Sequence, residues 1–236
     1  MNLETQSTDF SDGVRMKRAL DISVAALGLF VTAPLWIPIA ILVKLSSPGS
    51  ILFRQQRPGL HGRPFTLLKF RTMMEARDPA GNLLPDAERL TRIGCFLRST
   101  SLDELPELIN VLKGEMSLVG PRPLLTRYLP YYSEREFRRH SVRPGLTGWA
   151  QINGRNLVAW SERLELDVWY VENWSLLLDL RIIFMTLVLV LKREGVVVDP
   201  ESRMLSLDAE RKGAPCSGRN PASPAEQATV VPSNET

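Results

Sequence analysis

The chain of 236 residues carries 29 Lys and Arg against 26 Asp and Glu, a net charge of +3 with a pI near 9.0. That length suffices for one domain of ordinary size with attachments. The basic residues are dispersed among apolar and acidic positions with no dense run, which points to particular phosphates and away from a nucleic-acid track. Two histidines (His61, His140) leave a zinc site or a Ser-His triad without ligands or base, and two cysteines (Cys95, Cys216) give no disulfide framework.

Residues 1–13 are polar and are expected to be mobile. Arg15, Lys17 and Arg18 then precede the longest apolar run, Ile22 to Val43, which holds no charged residue. The run is too long for a signal-peptide core and lacks a cleavage site, so it is expected to be retained. About 20 apolar residues suffice to span a bilayer. The segment TAPLWIP, however, places Pro34 and Pro38 inside the run. Each internal proline costs about 3 kcal/mol or more in a helix and frees a carbonyl, here those of Phe30 and Pro34. Thr32 is placed to back-bond to one of them. Lys44, Arg54, Arg57 and Arg63 follow the run, so both flanks carry the positive charge typical of the cytoplasmic side. The expectation is a re-entrant helix–break–helix over residues 14–44, broken around Ala33, Pro34 and Pro38.

A cytoplasmic domain is expected over 45–200. SSPGS reads as a turn, and ILFRQQ and PFTLLKF as two short strands split by RPGLHGRP. Ala87, Leu90, Ile93 and Leu97 recur at helical spacing. A second helix is expected from Asp103 through Leu112, helical pieces from Leu124 to His140, and a turn-rich stretch with one strand from Arg143 to Arg155. A charged helix from Ser161 to Glu172 would turn Leu164, Val168 and Val171 inward. Leu176 to Leu191 is either a core helix or one lying in the membrane interface. The tail over 201–236 is expected to be disordered from about 213.

The densest stretch runs RIGCFLRSTSLDELPELINVLKGEMSLVGPRP, Arg92 to Pro123. Asp103 and Glu104 are adjacent carboxylates at a helix start. One reading is a capping box, Ser101 with Glu104, or Asp103 itself as N-cap with Pro106 in the first turn. The other is chemical. Arginines near a helix N-terminus favour phosphate, and a divalent cation such as Mg²⁺ reconciles two carboxylates with an anionic substrate. One carboxylate could then be a nucleophile. Lys17 and Asp21, four apart, read as a helix-surface pair.

These blocks resemble the bacterial sugar transferases that initiate surface glycan assembly, the monotopic phosphoglycosyl transferases. The resemblance runs from KRALD to KREGV and rests on FRQQRPGLHGRPFTLLKFRTM, the carboxylate block, SLVGPRP, RPGLTGWAQINGRN and LELDVWYVENWSLLLDL. With one membrane segment, the chain looks like the minimal form of that family. The resemblance implies a helix-rich α/β (α+β) fold: a re-entrant membrane helix on a small cytoplasmic catalytic domain, with interfacial amphipathic helices and few short strands. It implies transfer of a sugar phosphate from a UDP-sugar to polyprenol phosphate in the cytoplasmic leaflet of the bacterial inner membrane, with release of UMP. The glycan served could be exopolysaccharide, capsule or lipopolysaccharide.

The resemblance assigns Asp103 as nucleophile, forming a covalent phosphosugar intermediate, and Glu104 as the Mg²⁺ partner. Lys69, Arg98 and Arg122 are implied around the phosphates, with Arg143 joining them, and residues 148–155 nearby. Ala33–Pro34 stands where the family has a Ser-Pro pair. A homodimer is compatible with this reading. Two alternatives stay open: a non-catalytic membrane scaffold for glycan assembly, and direct attack by the lipid phosphate in a ternary complex, with both carboxylates as metal ligands.

Overall fold

In the computed structural model of the chain the described residues are 3–153, 159–192 and 206–212, with side chains from Asp12 onward except Leu191. The first element is one long helix, α1 (Leu3–Ser46), which remains helical through Pro34 and Pro38. The break expected at Ala33–Pro34–Pro38 is therefore absent, and residues 3–13 are helical as well. Thr32 does back-bond, but to the carbonyl of Gly28 at 2.7 Å, not to either carbonyl freed by a proline. What keeps α1 helical across the prolines is a stripe at helical spacing that packs on the body of the protein. Ala25 joins Leu108 and Val111 in the main core, while Trp36, Ile39 and Val43 pack with Phe70 and Leu97. Such packing offsets the lost ladder bonds.

Three polar residues fix the start of this stripe. Lys17 donates to the Val119 carbonyl at 3.0 Å and pairs with buried Asp179. Arg18 donates to the carbonyls of Val111 and Leu112 at 2.7 and 2.9 Å. Asp21 accepts from the Leu118 N–H at 2.9 Å and the Ser117 hydroxyl at 3.1 Å. Lys17 and Asp21 thus do not pair on the helix surface; each is spent on a different tertiary partner. The opposite side of α1 stays apolar and uncovered, with Phe30 80 % exposed.

The strands β1 (Leu52–Pro58) and β2 (Pro64–Phe70) form an antiparallel hairpin, paired from Leu52 with Phe70 to Pro58 with Pro64. The expected continuous helix over 87–97 is instead two, α2 (Asp86–Arg89) and α3 (Arg92–Ser99). Thr91 separates them by capping α3, its hydroxyl accepting from the Gly94 N–H. Gly94 is the enabling residue. A Cβ there would stand 1.9 Å from the Thr72 carbonyl oxygen, so only glycine lets α3 approach the chain leaving β2. A 3₁₀ turn over Leu102–Glu104 leads into α4 (Glu107–Lys113).

The strand β3 (Ser117–Val119) pairs in parallel with β4 (Gly145–Thr147), which brings SLVGPRP beside RPGLTG. Gly120 and Gly145 touch backbone to backbone: a Cβ on Gly145 would lie 2.1 Å from the Gly120 nitrogen. Between these strands come 3₁₀ turns and α5 (Glu134–Phe137), as expected for a segment helical in pieces. Beyond β4 stand α6 (Trp149–Asn153), a helix where only turns and a strand were expected, and then α7 (Trp160–Glu172) and α8 (Leu176–Lys192). Leu164 and Val168 of α7 are buried as expected. One side of α8 buries Asp179 and Ile182, whereas Leu177, Leu180, Phe184 and Leu187 face outward. The short α9 (Leu207–Arg211) seats Leu207 against Leu124, Tyr128 and Trp160. Residues beyond 212, where disorder was expected, lie outside the described residues.

Candidate active site

The site is assembled on the junction of β2 and α4. Asn110, fully buried on α4, fastens the two together. Its side-chain oxygen accepts from the Leu68 N–H at 3.1 Å, and its amide nitrogen donates to the Thr66 carbonyl at 2.8 Å. This bracket places Lys69, the next residue along β2, over the N-terminal end of α4. There the Lys69 ammonium lies 2.6 Å from Glu104 and 3.0 Å from Glu107. Arg122, on the loop after β3, reaches the same Glu104 oxygen, Oε1, at 2.5 Å. Arg139 supports that loop from behind by donating to the Arg122 carbonyl at 2.7 Å.

Asp103 sits in the turn between α3 and α4 and is 7 % exposed. The residue two before it, Ser101, has φ 56, in the left-handed region, and makes no side-chain capping bond. Neither form of the expected N-cap exists: Ser101 makes no capping bond, and the helix proper begins only after Pro106, which makes none either. A left-handed serine costs on the order of 1 kcal/mol, and such strain concentrates at functional turns. The Asp103 carboxylate accepts no hydrogen bond among the described residues, yet Lys69, Arg98 and Arg122 all act on its charge. Arg98 is aimed by Thr72, which accepts from its Nε at 3.1 Å. Thr72 is the residue against which Gly94 closes.

The carboxylates are pushed apart electrostatically. Burial and the neighbouring Glu104 charge raise Asp103, with Lys69, Arg98 and Arg122 opposing. Burial also works to raise Glu104, but Arg122 and Lys69 outweigh it and hold that group well below the usual carboxylate range. Burial and the Glu104 charge push Glu107 up to about 7. The Glu104 charge raises Lys69 against its burial, and it also raises Arg122. Glu104 is therefore held ionised by two cations, and among the described residues Asp103 is the carboxylate left without a direct partner.

Of the residues expected in the site, Asp103, Glu104, Lys69, Arg98 and Arg122 come together. Arg143 does not. Its Nε donates to the carbonyl of Gly114 at 2.8 Å, at the C-terminal end of α4, whereas Asp103 and Glu104 precede the N-terminal end. Gly148 to Asn153 lead into and form α6, and the rest of the block, residues 154 and 155, lies outside the described residues. Two contributors escaped the sequence reading, Glu107 and Asn110. The available signal was a polar residue on the face of α4 that buries Leu108 and Val111.

The region matched by the family described as bacterial sugar transferase is residues 13–193. The chain belongs to that family. It is 55 % identical over 181 residues to an uncharacterized sugar transferase, EpsL, of Bacillus subtilis, covering 77 % of this chain and 90 % of the relative. It is 46 % identical to the exopolysaccharide production protein ExoY of Sinorhizobium fredii, over 72 % of this chain and 83 % of that protein. It is 45 % identical to the UDP-glucose:undecaprenyl-phosphate glucose-1-phosphate transferase of Escherichia coli, over 72 % of this chain but only 39 % of that protein. The sugar transferase therefore spans about two fifths of the Escherichia coli relative's length.

No group of three or more Asp, Glu, His or Cys side chains able to hold a metal occurs among the described residues. Mg²⁺ needs only one or two carboxylates together with substrate oxygens, and the site meets that lesser demand. Among the described residues Asp103 accepts no hydrogen bond, and both cations on Glu104 occupy one oxygen.

Proposed function

We propose that the chain transfers a sugar 1-phosphate from a UDP-sugar to a polyprenol phosphate, with Asp103 as nucleophile. The observation that carries this reading is the buried, unpartnered Asp103 carboxylate ringed by Lys69, Arg98 and Arg122, in a chain of the sugar transferase family. An Asp103 oxygen attacks the β-phosphorus of the donor. The bond from that phosphorus to the bridging oxygen breaks, and UMP leaves with the oxygen and its electron pair. An oxygen of the polyprenol phosphate then attacks the same phosphorus and displaces the Asp103 carboxylate, giving the lipid diphosphate sugar. Splitting the reaction lets a water-borne donor and a lipid-borne acceptor visit one site in turn.

Lys69, Arg98 and Arg122 orient the diphosphate and balance charge developing on its oxygens. Glu104 would hold Mg²⁺, which would supply charge neutralisation between the Asp103 carboxylate and the phosphate.

We further infer that α1 holds the site at the cytoplasmic face, with both of its ends on that side. The helix is long and apolar enough to cross a bilayer. Yet Lys17 at one end and Val43 at the other pack on the same body, about 39 Å apart at 1.5 Å per residue. A helix that delivered its two ends to opposite sides could not keep both contacts. The uncovered outer faces of α1 and α8 supply the membrane contact.

The reaction is tested with a panel of UDP-sugars. Asp103→Asn should abolish both UMP release and the radiolabelled phosphosugar adduct; full turnover by this variant removes Asp103 as nucleophile. Ternary-complex in place of ping-pong initial-rate patterns would favour direct attack by the lipid. For topology, in a cysteine-free background, Asp9→Cys and His61→Cys should both be shielded from external impermeant reagents. Labelling of the first alone would mean that α1 spans.

A further inference from the structure

Glu107 is a carboxylate that the proposed reaction leaves without a task. It stands in the first turn of α4 with its side chain 2 % exposed, among neighbours that include buried Leu108 and Val111. An acidic residue in a first turn normally caps backbone N–H groups. Glu107 does not: it makes no hydrogen bond to the backbone among the described residues, and its Oε1 is buried without one. Its polar contact is ionic, to the Lys69 ammonium 3.0 Å away. Burying a carboxylate for one ion pair is costly, and an apolar side chain of similar size would pack there at lower cost. That contact places Glu107 to act on Lys69.

The arrangement of Lys69 shows what that charge does. Its ammonium is shared between Glu104 at 2.6 Å and Glu107 at 3.0 Å. Glu104 also carries Arg122, and it is the more exposed of the two carboxylates. A bound diphosphate competes for Lys69 and Arg122 and frees Glu104 to turn. Glu107 is fixed in the packed face of α4 and cannot follow.

We propose that Glu107 is a positioning residue that keeps the Lys69 ammonium at the reacting phosphate once the incoming diphosphate has displaced Glu104 from it. The proposal rests on the transferase reading above. Lys69 thus has a mobile partner and a fixed one, and the fixed one determines where its charge lies during attack by Asp103.

The test uses the full chain in detergent, with whichever UDP-sugar of the panel wild type turns over, labelled in the β-phosphate. Glu107→Gln keeps the shape and removes the charge. It should slow single-turnover adduct formation at least tenfold while leaving the unfolding midpoint unchanged or raised. In a Lys69→Met background the same substitution should slow the reaction no further, because the residue it acts through is gone. Adduct formation by Glu107→Gln within twofold of wild type overturns the proposal, as does an equal slowing in both backgrounds, which would mean a role in the fold alone. Glu107→Asp, expected to fall between, serves if the glutamine variant does not fold.

A readout independent of turnover is the acetylation rate of Lys69 by acetic anhydride, followed by mass spectrometry. It should rise at least threefold in Glu107→Gln as the ammonium loses its fixed partner, and an unchanged rate refutes the inference. If Asp103→Asn still formed the adduct, the transferase reading would fail by itself, whatever Glu107 does.

Discussion

The Arg139–Asp167 pair is a sensitive point in the structure, and its removal can be predicted in magnitude. Both side chains are almost fully buried, at 2 % and 4 % exposure. Arg139 presents Nε and a terminal nitrogen to one Asp167 oxygen at 3.0 and 2.7 Å, and donates to the Arg122 carbonyl at 2.7 Å. Asp167→Asn preserves size and removes the charge, leaving a buried guanidinium with a carbonyl and the face of Tyr132. Breaking a buried pair from one side costs about 3–5 kcal/mol. For a chain of this size that corresponds to a fall of about 10 °C in the unfolding midpoint, at about 2–4 °C per kcal/mol. Removing both charges together should be far milder, since an apolar replacement of a buried pair is often neutral. Tryptophan fluorescence during heating of the detergent-solubilised protein measures this. A fall below about 2 °C for Asp167→Asn would refute the reasoning, as would an Arg139→Met/Asp167→Leu variant as unstable as the single one.

Two further outcomes follow from the same geometry. Burial and the Arg139 charge push His140 down to about 3 from 6.5, so it is neutral when folded. Its contribution to stability is complete above about pH 6.5 and is lost as pH falls toward 3, amounting to about 2 kcal/mol at pH 5. His140→Asn should therefore lose roughly 5 °C less midpoint than wild type between pH 7.5 and 5; equal losses would refute this. Arg143→Gln removes one bond to the C-terminal end of α4, and should cost about 1 kcal/mol of stability with UMP release within twofold of wild type. A tenfold loss of release at an unchanged midpoint would return Arg143 to the phosphate site.

The hairpin of β1 and β2 was legible because its two apolar runs are local and split by a glycine-containing turn. The cluster of Asp103, Glu104, Lys69, Arg98 and Arg122 was legible through the family resemblance, and the residues' own chemistry agreed with it. Local rules failed where a tertiary contact decided the matter. Ser101 and Glu104 have the spacing of a capping box, but Glu104 is drawn to Lys69 and Arg122 from other segments. Ala87 to Leu97 has the period of one helix, but Gly94 must close on Thr72, and Thr91 restarts the chain to allow it. Pro34 and Pro38 read as a break because proline opposes a helix, and nothing in the order of residues discloses the stripe of α1 that packs past them.

From its residues alone, this chain declares a long apolar segment flanked by positive charge and a pair of carboxylates among basic residues. These are properties of composition and spacing, which survive without coordinates; the family was legible through the resemblance of its motif blocks. The helical continuity of α1, the exclusion of Arg143 and the sharing of Lys69 between Glu104 and Glu107 were decided only in three dimensions. A buried charge goes to whichever partner the packed backbone brings within about 3 Å, and sequence separation does not encode that distance.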